Sequence, residues 1–80
     1  MDTDQLTRLA EVFSEHTNLK LSTIGNYSVN DGKIFDRWSN GGSCTLPTAA
    51  AMGQWFSDRW PKDLSWPTDI PRPPKRKDAA

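Results

Sequence analysis

"NDGKIFDRWSNGGSCTLPTAAA", residues 30–51, is the stretch whose reading decides the fold. It opens on Asn30 and Asp31, side chains that cap helices, and then places Ile34, Phe35 and Trp38 on one helical face. Lys33 and Arg37 fall outside that face. The pattern stops at Ser39-Asn40-Gly41-Gly42, a glycine-type helix end, so the spacing predicts a helix of about nine residues. Thr45 then caps another helix, with Pro47 in its first turn, where a missing N–H costs nothing. That helix is expected to run to about Trp60 and to end at Pro61. Leu46, Ala49, Ala50, Met52, Gly53 and Phe56 make its expected buried side, and its small residues let a neighbouring helix come close.

Upstream, Leu6, Leu9, Ala10 and Phe13 recur at i, i+3, i+4 and i+7, which predicts an amphipathic helix over about residues 3–16. Asp2, Thr3 or Asp4 is its N-cap, and "HTNLKLS" breaks it. A shorter helix is expected next, capped by Ser22 or Thr23 and running through Ile24 to about Ser28. Gly25 lies inside it, a cost of roughly 1 kcal/mol against Ala that permits close approach of a neighbour. The fold class is therefore all-α: a compact bundle of about four short helices.

From Pro61 the chain reads "PKDLSWPTDIPRPPKRKDAA", too rich in proline for helix and suited to an extended arm. We divide the chain into a helical domain, 1–62, and a Pro-rich arm with a basic tail, 63–80. Leu64, Trp66 and Ile70 are the arm's apolar anchors, placed to lie across the domain or a second subunit. Phe56 points inward, which leaves its neighbour Trp55 partly exposed. Trp55, Trp60, Trp66 and Ile70 together are read as an apolar patch for a second subunit.

The chain has 80 residues and a formal net charge of zero, but the charge is split. Residues 1–70 carry six Lys or Arg against nine Asp or Glu, whereas 71–80 carry Arg72, Lys75, Arg76 and Lys77 against Asp78 alone. The acidic body lacks the overall positive charge with which nucleic-acid binders neutralise phosphates; the tail supplies it. A single Cys, Cys44, closes no disulfide, and no Cys/His spacing suggests zinc. His16, the only imidazole, sits at a helix end with no Ser or Cys neighbour to activate. Glu11, Glu15, Asp58 and Asp63 form no motif, and "NGGS" lacks the Lys-Ser/Thr of a phosphate-binding loop. No enzyme, cofactor or metal is expected. Without a secretory leader or membrane span, the expected location is the cytoplasm.

The order of a short helix, a turn at Val29, a second short helix, a glycine loop and a longer helix resembles the lambda-repressor/Cro-like helix-turn-helix family. The residues that carry the likeness are Gly25, Val29, Ile34 with Trp38, Asn40-Gly41-Gly42 and Thr45-Leu46-Pro47, over about residues 20–58. The quoted stretch is also similar to one in small alpha-proteobacterial and phage DNA-binding regulators. The span from Val29 to Gly41 is one residue longer than the family spacing, and Asp31 and Asp36 put carboxylates near the expected groove face.

The resemblance implies a transcriptional regulator, a homodimeric repressor on a short inverted-repeat operator in double-stranded DNA, in a phage or mobile element. It implies that Lys33 and Arg37 donate to guanine or phosphate and that Asn30 reads adenine. Asp36 is expected to be neutralised by Lys33 three residues earlier and Asp31 to be occupied as the N-cap, and carboxylates can also accept from cytosine. Ser22 and Thr23 would hold phosphates at the start of the preceding helix. Ser43 in the glycine loop is a further contact, and Arg72, Lys75, Arg76 and Lys77 would track the backbone. The alternative reading is a protein-interaction module on the same scaffold, an antiactivator or anti-repressor, which the acidic body favours.

Overall fold

A computed structural model describes residues 1–74. Within them the chain forms four α-helices and no strand: α1 (Thr3–Thr17), α2 (Leu21–Val29), α3 (Ile34–Ser39) and α4 (Leu46–Arg59). Helix α2 packs against α1, α3 and α4, and α1 also packs against α4.

The apolar stripe of α1 is buried as its spacing requires, with Leu6, Leu9 and Ala10 fully enclosed. Asp2 is the cap: its Oδ1 accepts the Gln5 N–H at 2.8 Å while Gln5 Oε1 accepts the Asp2 N–H at 3.1 Å, a reciprocal capping box. Asn18 ends the helix in the left-handed region, which Asn tolerates better than other side chains.

Helix α2 starts earlier than its composition suggested. Lys20 occupies the cap position without a side-chain bond, so Ser22 and Thr23 lie within the first turn and are not caps. At the other end Asn30 is left-handed (φ 57°); its N–H reaches Asn26 O at 3.0 Å, and the Asp31 N–H reaches Gly25 O at 3.1 Å. These bonds satisfy the last carbonyls of α2. They also delay α3, which has six residues where about nine were expected, with Lys33 at its cap position.

Two glycines of this region answer to space. A Cβ on Gly25 would stand 2.3 Å from Asp31 O and 3.2 Å from Ile34 Cγ2, so only glycine lets α2 receive the chain entering α3. After α3, the Gly42 N–H bonds Arg37 O at 2.9 Å, and a Cβ there would meet that same oxygen at 2.7 Å.

Helix α4 carries Thr45 as its cap and Pro47 in its first turn, as expected. Ala49, Met52, Gly53 and Phe56 are buried as expected, but Leu46 is 87% exposed and Ala50 is also exposed, and Trp55, Ser57 and Asp58 are buried as well. Trp55 meets Phe13 of α1, and Ser57 is covered from beyond Pro61. Residues 60–74 contain no helix and fold back over the second half of α4. Ser57 and Gln54 donate to the carbonyls of Pro73 and Pro74, and a Cβ on Gly53 would touch both Met1 and Pro73.

The core is accordingly aromatic. The Phe13 ring lies 5.3, 5.6 and 5.8 Å from those of Trp55, Phe56 and Trp60, and Trp60 meets Trp66 at 4.9 Å. Each indole N–H of the last pair finds a carbonyl, Trp60 Nε1 on Leu64 O at 2.8 Å and Trp66 Nε1 on Ile70 O at 2.7 Å. Trp55, Trp60 and Ile70 are thus buried in this chain's own core and Trp66 is half-buried beside them; they are not the exposed subunit patch expected of them. Through Leu64, Trp66 and Ile70 the segment after Pro61 belongs to the same core as the helices.

Candidate nucleic-acid interface

Helix α3 has two chemically distinct faces. Ile34, Phe35 and Trp38 are buried, with Phe35 and Trp38 edge to face at 5.5 Å, and they fix the helix to the body. Lys33, Asp36, Arg37, Ser39 and Asn40 are exposed. Also exposed are Asn26 and Tyr27 of α2, Asn30 at its end, and Ser43 of the glycine loop.

The two cations expected to act together have different surroundings. Arg37 is held by Asp31: Nη1 donates to Oδ1 at 3.2 Å and Nη2 donates to Oδ2. Asp31 Oδ1 also accepts the Lys33 N–H at 3.1 Å, so the carboxylate that was expected to cap α3 organises the turn before it. The guanidinium first, and the Lys33 amide second, hold the Asp31 carboxyl below the usual carboxylate range; the hydrogen bonds that Arg37 donates to Asp31 push Arg37 up. Lys33 is exposed and has no ion-pair partner among the described residues. The Arg37–Asp31 pair lies on the wall of a cleft of about 170 Å³, whose other walls include Val29, Ile34, Trp38, Ser43, Cys44, Thr45 and Thr48.

Asn30 closes α2 in left-handed conformation, so it cannot also take the extended geometry of an α3 N-cap. Ser22 is exposed and Thr23 half-buried on the first turn of α2, whose amides no side chain caps. Sequence reading missed Lys20 here; the signal was present in "NLKLST", a cation directly ahead of those free amides. Arg72 was expected on phosphates and is otherwise engaged: Nη2 donates to Ser57 O at 2.8 Å, Nε to Ser57 Oγ at 3.3 Å, and the guanidinium lies 5.2 Å from the Trp66 ring centroid. Lys75, Arg76 and Lys77 lie outside the described residues.

Among the described residues no group of three or more His, Cys, Asp or Glu side chains is placed to hold a metal ion, and no helix is long and apolar enough to cross a membrane. No known family model, curated protein or solved structure matches the chain.

Proposed function

We propose that this chain is a DNA-binding transcriptional regulator that works as a helix-turn-helix, with α2 set against the phosphates and α3 in the major groove. The observation that carries the reading is the two-faced α3: Ile34, Phe35 and Trp38 lock it down while Lys33, Arg37 and Asn40 stay at the surface. The uncapped first turn of α2, with Lys20 before it and Ser22 within it, is chemistry that suits a phosphate. In this reading the protein acts in the cytoplasm as a homodimeric repressor on an inverted repeat. The second copy meets it on a surface other than the buried Trp55, Trp60 and Ile70.

Duplex titration and footprinting on DNA upstream of the chain's own coding sequence, at two salt concentrations, test the reading. Lys33→Ala and Arg37→Ala should each cost roughly 1–3 kcal/mol in specific binding where they touch a base. Replacing Lys75, Arg76 and Lys77 by Ala should flatten the dependence of log K on log salt without changing sequence preference. Absence of salt-sensitive duplex binding by the wild type at either salt concentration rejects the proposal.

A second reading, a protein-interaction module, is favoured by the acidic residues 1–70 together with the exposed side chains of Tyr27, 64% accessible, and Leu46. It requires a protein partner whose binding falls on Tyr27→Ala or Leu46→Ala substitution, and no duplex binding.

A further inference from the structure

The Arg37–Asp31 pair sets a condition on the proposed DNA contact, and the inference drawn from it rests on that reading. A guanidinium reads guanine or grips phosphate by presenting two N–H groups side by side. In this structure both terminal nitrogens of Arg37 are turned onto the two oxygens of Asp31, a residue of the chain's own turn, beside the cleft between α3 and the start of α4. The terminal fork therefore faces the protein. Arg37 nonetheless has 58% of its side chain accessible, so the pair can open without unpacking the core.

Asp31 is anchored independently of Arg37. It accepts the Lys33 N–H and donates its own N–H to Gly25 O, and Gly25 admits no side chain between α2 and this turn. The carboxylate is thus a fixed feature of the turn, while the arginine is a flexible arm that reaches six residues back to it. Asp36, one residue before Arg37, makes no ion pair of this kind with it.

We propose that Asp31 is a built-in competitor for nucleic acid: it holds the α3 arginine in an intramolecular latch that DNA must displace, and so lowers the affinity of the regulator. The displaced carboxylate then lies near the phosphates and adds repulsion to the lost pair. The latch makes binding weaker and more readily reversed than the cationic groups alone dictate.

The test is the Asp31→Asn variant, which keeps an oxygen to accept the Lys33 N–H and removes the charge that holds Arg37. Duplex affinity is measured for wild type, D31N, R37A, the D31N/R37A double variant, and D36N as a control for the loss of one negative charge. The latch predicts that D31N tightens binding on the order of two- to fivefold, the range of an exposed ion pair. The gain should exceed that of D36N and should shrink when Arg37 is absent. Equal gains from D31N in the wild-type and R37A backgrounds overturn the latch, since charge alone would then account for them. Weaker binding by D31N also overturns it, because Asp31 would then be holding Arg37 in its productive pose. Absence of duplex binding by every variant rejects the regulator reading and the latch together, whereas binding by the wild type with no gain in D31N rejects the latch alone.

Discussion

Gly25 and the carbonyl oxygen of Asp31 approach so closely that a Cβ on the glycine would stand 2.3 Å from that oxygen. Alanine is ordinarily the better helix residue by roughly 1 kcal/mol. Here Gly25→Ala should instead destabilise the domain, by about 1–3 kcal/mol, since the obstructing atom is backbone and the turn must shift. Denaturant unfolding measures it, and a variant as stable as wild type would show that α2 and the turn are not so tightly joined.

Trp38 binds α3 to the rest of the molecule, being 8% exposed with its ring against Phe35. Trp38→Ala should cost about 3–5 kcal/mol, a large part of the stability of a domain this small. Thermal melting with circular dichroism reads the loss, and an unchanged midpoint would contradict the burial of this face.

Arg72 joins residues 60–74 to the end of α4 through Ser57, and within that segment it lies over the Trp66 ring. Truncation after Ile70 should therefore lower stability by about 1–3 kcal/mol, as expected for a charged hydrogen bond with a ring contact. The effect should be present without any DNA. Arg72→Ala should reproduce much of it, and a full-stability truncation would mean that these contacts contribute nothing.

Asp31 and Asp69 both have their carboxyls held below the usual range, Asp31 by Arg37 and Asp69 by Arg8, whose Nη1 lies 2.7 Å from Asp69 Oδ2. A depressed folded-state value gives stability that is complete above the unfolded value, about 4, and is lost as pH falls through the lower folded one. Melting temperatures should thus drop from pH about 5 to about 2.5, and Asp69→Asn should lose less over that interval. Both pairs are exposed, so the difference should be small. Equal losses in wild type and variant would show that the pair does not matter.

Much of the fold could be read directly from spacing and caps. The stripe Leu6, Leu9, Ala10, Phe13 defined α1, the Thr45–Pro47 signal located the start of α4, and Gly25 marked a close approach that the structure contains. The misreadings have two causes: what chain segments distant in sequence do, and competition between neighbouring side chains of the same cap chemistry. Trp55 and Trp60 looked available because nothing local reveals that Phe13 of α1 packs on both and that residues 60–74 return to the end of α4. Asn30 and Asp31 both had cap chemistry, and sequence could not tell that one would close α2 and the other would bind Lys33 and Arg37. Of the candidate site, the polar character of α3 was legible in Lys33 and Arg37, while the pairing of Arg37 was not.

The return of residues 60–74 also bears on the order of events in folding. Helices α2 and α3 meet through residues close in sequence, whereas Phe13 of α1 reaches Trp55 of α4, and Arg8 and Asp69 are separated by 61 positions. Closing so long a loop carries an entropic cost that grows with its length, and it is repaid only once Ile70 and Trp66 are seated. Where contacts of this kind form after the rate-limiting step, their strength sets how slowly the native state opens and leaves the speed of its formation nearly untouched. Ile70→Ala would then speed unfolding and leave the folding rate near that of the wild type.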